Sequence, residues 1–472
     1  MYLDDANELE VFELLSRLDT RKSTGPDGVS NFVLRKCADK LAKPLVVCVN
    51  KSFNSGSYPD FLKLAKVVPI FKGGSPLCVS NYRPISILSA VNKIYETLIA
   101  IRVKSFLRSQ DILYRHQYGF REKSGTSTAV LEALDFVYSS LDRRDCGVVS
   151  ALMIDLRKAF DSVDHSILLR NLHLVGVRGL VHDLMASYLL GREQFVTVRK
   201  NQSSRKPVIY GVPQGSVLGP LQFLIFLNDI ARLPLNGKLF LYADDACLFY
   251  TGGSDSINIR RMNEDLEMLH SYLTINKLAL NLSKTKYMHF HDPRRLLERE
   301  LTVSLFGTAI EEVNEFCYLG VILDSHLTWK RHVEFLCKKI SSVIGVLFRV
   351  RDELPLYALK RLYFGLVHSH LSYMVSLWGN APASCLTRLQ SLQNRALKLS
   401  YRLPLLTPSL DLYKSHVRDV LPIKGLHVIT VCKFVRLSLS NSAYHTLTFP
   451  DQLRIGACRD PLRLARTQPF SG

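Results

Sequence analysis

The chain lacks several features that would place it in other protein classes. No stretch of about 18 consecutive apolar residues occurs, so we expect no membrane-spanning helix. The ten cysteines are scattered, with no two of them within three residues of each other, which excludes a CxxC zinc knuckle. No secretory signal peptide is recognisable. We therefore expect reduced cysteines and an intracellular protein that is not secreted.

Acidic residues are scarce relative to basic ones. The chain has 42 Asp or Glu against 61 Lys or Arg, which gives a formal net charge of +19. An excess of this size favours a polyanionic partner. The excess is concentrated in residues 326–405, where twelve Lys or Arg stand against three acids, a net charge of +9. Apolar residues recur there at helical spacing, so we expect a basic, amphipathic helical segment.

The acidic dipeptide Asp244–Asp245 interrupts an otherwise apolar run. The flanks, residues 239–242 and 246–250, are typical of two short buried strands. Two charges at the tight turn between them cost desolvation unless a cation is present, and paired carboxylates commonly hold Mg²⁺. The alternative that this segment leaves open is an Asp-Asp turn that points into solvent.

A third carboxylate, Asp155, directly follows the strand predicted for residues 148–154. A carboxylate at the end of a buried strand is placed to meet one at a neighbouring hairpin. Together with the dipeptide it would form a two-metal site for phosphoryl displacement, with ions about 3.5–4 Å apart. Locally, Asp155 is also explained as the N-cap of the next helix, and both interpretations can hold.

Residues 211–223 form a loop punctuated by Gly and Pro that enters an apolar helix. Together with Asp155, residues 159–161 and residues 242–245, this loop resembles the palm of a reverse transcriptase from a non-LTR, LINE-type retrotransposon in the broad Jockey-like group. The motifs stand in the family's order, and the resemblance extends over about residues 10–405. It implies RNA-directed DNA synthesis, in which dNTPs extend a DNA primer on template RNA with two Mg²⁺ (or Mn²⁺) ions.

The resemblance implies an α+β fold of the right-hand polymerase type. Its fingers would span about 10–145, its palm with an antiparallel sheet about 146–324, and its basic helical thumb about 326–405. The reverse transcriptase domain overall would cover about 53–324. Residues 406–472 stay unassigned, although a helix is expected near 426–439.

The resemblance also assigns roles around the incoming nucleotide. Asp155 and Asp244 would bind the two metal ions, with Asp245 assisting. Five residues would contact the nucleotide: Lys72 and Arg83 at the triphosphate, Phe160 under the sugar, where it disfavours a 2′ hydroxyl, and Gln214 and Gly215 beside nucleotide and template. The alternatives are that Lys72 and Arg83 are solvated surface cations and that Phe160 is a core aromatic.

Two further sets of basic residues receive roles. Lys284 would protonate the leaving pyrophosphate, an effect worth roughly 10²–10⁴-fold, unless it is merely an exposed cation after a turn. The cations of the thumb segment would hold the template–primer backbone without reading sequence, unless they form only a solvated helix face: Lys330, Arg331, Lys338, Lys339, Arg349 and Arg351.

Parts of a full-length element are not recognisable in the chain. We find neither an amino-terminal endonuclease nor a ribonuclease H carboxylate pattern after residue 405, so we expect a fragment or a truncated genomic copy. Its location would be the nucleus or a cytoplasmic ribonucleoprotein, and the sequence does not determine its oligomeric state. Two alternative functions stay open: a degenerate, non-catalytic nucleic-acid-binding remnant, and a host-adopted telomerase-like or maturase-like polymerase.

Overall fold

A computed structural model describes residues 1–440. Its α-helices are α1 (Glu8–Ser16), α2 (Asn31–Lys36), α3 (Ala38–Ser55), α4 (Ala90–Ser109), α5 (Thr126–Leu141), α6 (His165–Leu174), α7 (Leu180–Leu189), α8 (Leu218–Leu227), α9 (Asp255–Ile275), α10 (Lys330–Val350), α11 (Leu356–Tyr363), α12 (Ser369–Ser372), α13 (Val375–Trp378), α14 (Ala383–Ser400), α15 (Ser409–Asp411) and α16 (Ile423–Ser440). Its strands are β1 (Leu64–Phe71), β2 (Tyr82–Ile87), β3 (Val148–Ile154), β4 (Glu193–Val198), β5 (Asn201–Gln202), β6 (Lys206–Pro207), β7 (Lys238–Tyr242), β8 (Asp245–Gly252), β9 (Lys286–Phe290), β10 (Ser304–Leu305), β11 (Thr308–Ala309), β12 (Glu311–Glu312), β13 (Glu315–Tyr318) and β14 (Val321–Asp324).

The central element is a five-stranded sheet in the order β12-β9-β3-β8-β7. All seven residues of β3 are buried, as expected for a strand that has a neighbour on each side and a packed layer on each face. The pairs β3–β8, β3–β9 and β7–β8 are antiparallel, and only the short β12 joins β9 in parallel. The α+β class with an antiparallel palm sheet, which the sequence predicts, is confirmed.

The central sheet separates two hydrophobic cores. Side chains alternate across β3, so its even-numbered and odd-numbered residues enter different cores. Leu152 and Ile154 belong to the core formed with α4 and α6 to α9. Ala151 and Met153 belong to the core formed with α5, α10 and α14. The carboxyl end of β3 emerges between these two layers.

A second sheet has the order β2-β1-β4-β5, with β6 paired to β4. Strands β1 and β2 form an antiparallel ladder in which Ile70 faces Arg83. Lys72 follows β1 directly, and its backbone N–H donates to Asn81 O at 2.8 Å. This sheet therefore carries Lys72 and Arg83 near each other on its exposed end.

The region after the central sheet is helical. Helix α10 buries its apolar stripe against α14, as its periodicity predicts. The helix expected near residues 426–439 is confirmed within α16, and residues 441–472 of the unassigned segment lie outside the described part of the chain. No helix between residues 1 and 440 is long and apolar enough to cross a bilayer.

Candidate active site

The three carboxylates singled out by the sequence lie at one edge of the central sheet. Asp155 directly follows β3, and Asp244 and Asp245 stand at the turn from β7 to β8. The ladder between β3 and β8 ends with Ile154 opposite Ala246. Extending this register by one position sets Asp155 opposite Asp245, and opposite residues of antiparallel neighbours project to the same face. The expected adjacency of strand end and hairpin is therefore present in the backbone.

The charges of these carboxylates act on each other. Burial raises the pKa of Asp244, and the charge of Asp155 raises it further. The pKa of Asp245 rises to about 6, first because its carboxyl is partly withdrawn from water, and then because Asp244 and Asp155 add negative charge. Like charges held together in this way are stabilised by a cation or a proton.

The side chains do not form a preassembled metal cage. In residues 1–440 no group of three or more His, Cys, Asp or Glu side chains is arranged to hold a metal ion. The donor set nevertheless fits Mg²⁺ chemically, because all three groups offer only carboxylate oxygens. The mutual repulsion that raises the pKa values of Asp244 and Asp245 would be relieved by a bound cation.

Asn281 is a site residue that the sequence did not reveal. Its Nδ2 donates to Asp155 Oδ2 at 2.7 Å, and its backbone N–H donates to Asp155 O at 2.8 Å. The loop after α9 thus holds Asp155 at its carboxylate and at its main chain. The sequence directs attention to Lys284 in the same turn and not to Asn281.

Gln117 is a second residue that sequence reasoning missed. It is almost fully buried, and its Oε1 accepts the N–H groups of Gly119 and Ala243, both at 2.9 Å. Ala243 has a φ of 57°, a left-handed conformation that costs energy for a residue with a Cβ. Gln117 therefore stabilises the strained residue that precedes Asp244.

Lys72 and Arg83 supply positive charge near the carboxylates. Both side chains are exposed, and the charges of both lower the pKa of Asp244 against the effect of burial. Burial raises the pKa of Asp161, and the charge of Lys72 offsets part of this rise. Two exposed cations beside a carboxylate cluster are suited to bind a polyphosphate that would bridge them.

The loop 211–216 lies against both β2 and the turn at 159–161. The Ser86 N–H donates to Gln214 O at 2.7 Å, and Gln214 Nε2 donates to Asp161 Oδ1, also at 2.7 Å. Gly215 has a φ of 118°, and a Cβ there would lie 2.6 Å from Ser86 O. A side chain at this position would force the loop away from β2.

Phe160 lies at the border between the core and the site. Its ring stacks on Phe223 of α8 with a centroid distance of 4.4 Å, and it meets the Phe120 ring edge-on at 6.2 Å. The ring is half-buried. Phe160 is thus a packed aromatic that stays partly exposed, so its core role and a role beside a sugar are compatible.

Lys284 lies beside the three carboxylates rather than among them. It is exposed, and its backbone N–H closes a turn on Asn281 O at 3.0 Å. That turn is the one that carries the Asp155 contact, so Lys284 lies next to the site through its backbone neighbour.

The basic residues expected to hold the template–primer backbone differ in their surroundings. Lys330, Lys338, Lys339 and Arg349 are exposed, with Lys339 Nζ 4.6 Å from the centre of the Phe335 ring. The two others are engaged by acids, as the following ion pairs show: Arg331 with Glu315 at 3.2 Å and with Glu334 at 3.3 Å, and Arg351 with Asp352 at 3.2 Å. Paired cations neutralise part of the charge that a phosphate backbone would meet.

Residues 70–323 match the sequence profile of a family described as reverse transcriptase (RNA-dependent DNA polymerase). This match covers more than half of the chain and includes Asp155, Asp244 and Asp245.

Curated proteins from mobile elements are similar over a longer stretch. The probable RNA-directed DNA polymerase from transposon BS of Drosophila melanogaster is 30% identical over 82% of this chain and 44% of that protein. The corresponding X-element protein of the same species is 27% identical over 98% of this chain and 50% of that protein. The RNA-directed DNA polymerase from mobile element jockey of Drosophila funebris is 28% identical over 82% and 43%, respectively. The chain thus spans about half the length of the curated relatives it matches.

Proposed function

Since the chain belongs to the reverse transcriptase (RNA-dependent DNA polymerase) family, with relatives among Jockey-like elements, we propose that it synthesises DNA on an RNA template for a non-LTR retrotransposon. The observation that carries this proposal is the placement of Asp155 beside the Asp244–Asp245 turn. The charges of Lys72 and Arg83 act on the same turn. Oxygen donors together with nearby cations are what a nucleoside triphosphate with its metal ions requires.

Asp155, Asp244 and Asp245 would hold two Mg²⁺ ions, with Mn²⁺ as a possible substitute. Bound there, the metals would stabilise the charges that develop on the attacking and leaving oxygens. Asn281 keeps the Asp155 carboxylate in place through the 2.7 Å hydrogen bond. The strained turn at Ala243 presents the other two carboxylates at the same edge of the sheet.

The residues around the sheet edge would bind and align the dNTP. Lys72 and Arg83 would bind the triphosphate, and Phe160 would lie under the sugar. Gln214 and Gly215 would contact the nucleotide and the template base opposite it. Lys284 would donate a proton to the departing pyrophosphate from the turn that follows Asn281. Catalysis of this kind depends on positioning and charge neutralisation more than on covalent chemistry.

This assignment also divides the chain into the three parts of a right-hand polymerase. Residues 10–145 would act as fingers, residues 146–324 as palm and residues 326–405 as thumb. The exposed cations of α10 would hold the backbone of template RNA and DNA primer. Such a polymerase would act in the nucleus or in a cytoplasmic ribonucleoprotein.

The experiment that tests the function is primer extension on poly(A) with an oligo(dT) primer and Mg²⁺. The parent chain should incorporate dTTP, and Asp155→Asn or Asp244→Asn should abolish incorporation because each removes a carboxylate charge at the proposed metal site. Asp39→Asn is the matched control, since Asp39 is an exposed carboxylate in the first turn of α3.

Three outcomes separate the alternatives. Extension by the parent and the Asp39→Asn chain alone supports the proposal. Binding of template–primer without any extension by the parent would identify a non-catalytic remnant. Extension that survives both substitutions at Asp155 and Asp244 would show that the chemistry resides elsewhere.

A further inference from the structure

Backbone hydrogen bonds and a close glycine contact join the loop 211–216 to the turn 159–161. The Gly211 N–H donates to Val163 O at 2.8 Å, and the Val212 N–H donates to Phe160 O at 2.9 Å. Gly211 has a φ of 81°, and a Cβ there would lie 2.8 Å from Asp161 O. Only glycine permits this approach, so the backbone alone fixes the register between the two segments.

One side-chain contact spans this joint. Gln214 Nε2 donates to Asp161 Oδ1 at 2.7 Å, and both residues are half-buried. The Gln214 main chain is held as well, because its carbonyl accepts the Ser86 N–H. A carboxamide has one donating and one accepting arm. With Nε2 engaged by Asp161, Oε1 is the arm that faces away from it.

The charges that shift the pKa of Asp161 only partly overlap with those that shift the pKa values of the proposed metal ligands. The charges that act on Asp161 come from Lys158 and Lys72, whereas those of Asp155 and Asp244 act on Asp245. Lys72 acts on both Asp161 and Asp244, so the Gln214 contact shares one cation with the sheet edge. Asp161 therefore orients Gln214 close to the three carboxylates without being a proposed metal ligand itself.

We propose that Asp161 is a positioning residue that fixes the Gln214 amide, so that Gln214 Oε1 accepts a hydrogen bond from a donor group of the incoming nucleotide. This inference rests on the proposed polymerase function. Without Asp161 the amide rotates and presents its N–H to the same donor, which leaves two donors facing each other. The loss falls on nucleotide binding, and therefore on KM for dNTP more than on kcat.

A reciprocal exchange of the two side chains tests the proposal. Gln214→Glu sets two carboxylates against each other, whereas adding Asp161→Asn to it restores a hydrogen bond in which the introduced amide donates to the introduced carboxylate. The second oxygen of that carboxylate then still faces the nucleotide as an acceptor. Gln202→Glu is the matched control, because it introduces the same charge at an exposed position of β5.

Gln214→Glu should raise KM for dNTP about tenfold, and Asp161→Asn in that background should return it to within about threefold of the parent. Gln202→Glu should leave KM unchanged. Asp161→Ala should raise KM while kcat changes less. Additive effects, in which Asp161→Asn brings no recovery to Gln214→Glu, would overturn the proposal.

Thermal unfolding of the parent and the same variants, without nucleotide, separates failure of this inference from failure of the polymerase function. Recovery of the melting temperature by the exchange shows that the contact exists in the folded chain. If the melting temperatures recover and KM does not, the contact is structural only and the positioning role is refuted. If the parent makes no DNA on any RNA template, the polymerase function fails and the positioning role fails with it, whatever the melting temperatures show.

Discussion

The buried amide of Gln117 should be required for the geometry of the Asp244 turn. Its Oε1 is the acceptor for two backbone N–H groups, those of Gly119 and Ala243. Residues 117–119 also press closely on the turn, since a Cβ at Gly119 would lie 2.4 Å from Ala243 N. Because Gln117 is almost fully buried and methionine has a similar volume, water does not replace the amide oxygen in a Gln117→Met variant. We predict that Gln117→Met, which keeps the volume and removes the acceptor, leaves both N–H groups unsatisfied.

The expected magnitude follows from this geometry. Each buried N–H that loses its partner costs about 1–3 kcal/mol, so the free energy of unfolding should fall by about 2–6 kcal/mol in total. Ala243 is already strained by its left-handed φ, so the turn should relax rather than hold its position. A displacement near 1 Å at reacting groups costs about a hundredfold in rate, and DNA synthesis should fall accordingly.

Chemical denaturation, hydrogen exchange at the Ala243 amide and primer extension together check this prediction. Gln110→Met is the matched control, because Gln110 is exposed at the end of α4 and its replacement should alter none of the three. The reasoning is refuted if Gln117→Met leaves both the unfolding free energy and the protection of the Ala243 amide at their parental values.

Three other predictions concern separate parts of the chain. Phe160→Ala should increase incorporation of ribonucleotides relative to deoxyribonucleotides, measured as the ratio of the two kcat/KM values; an unchanged ratio would rule out a sugar gate. Lys338→Ala or Arg349→Ala should weaken template–primer binding on any sequence and reduce the salt slope of the affinity by about one. Arg331→Ala should weaken binding less, because ion pairs already neutralise Arg331. The measurement is equilibrium binding against salt concentration on two unrelated templates, and a loss of affinity confined to one template would contradict the prediction. Burial lowers the pKa of His332 from 6.5 to about 4, so unfolding takes up a proton in this pH range. The free energy of unfolding should therefore decrease as the pH falls from 6.5 towards 4, by up to about 1.4 kcal/mol per pH unit. His332→Phe should flatten this part of a denaturation series measured against pH, and an equally steep curve would show that other groups cause the loss.

The sequence predicted the elements whose signals are local. Strand β3 is an apolar run interrupted only by Ser150, and the apolar runs of β7 and β8 meet at a polar dipeptide, so length and composition identify all three. The stripe of α10 is equally local, because a period of 3.6 residues is visible within one segment.

The contacts that the sequence could not reveal join distant segments. Gln117 and Ala243 are far apart in the chain, and no sequence pattern links the two residues. The same is true of Arg331, whose basic character predicts a phosphate contact, whereas its partner Glu315 comes from β13. Asn281 is a third example, because the cation Lys284 in the same turn suggests chemistry more readily than an amide does.

The position of β3 also has a consequence during protein synthesis. This strand leaves the ribosome as a seven-residue segment that is apolar except for Ser150. The partners that cover its two edges, β8 and β9, are made much later, the second ending only at Phe290. Until then both edges offer unpaired backbone groups, the condition that promotes association between nascent chains. Asp155 at its end places a charge there, which is the kind of residue that discourages such pairing. The same carboxylate can therefore serve the chain twice, first while it is being made and later at the sheet edge.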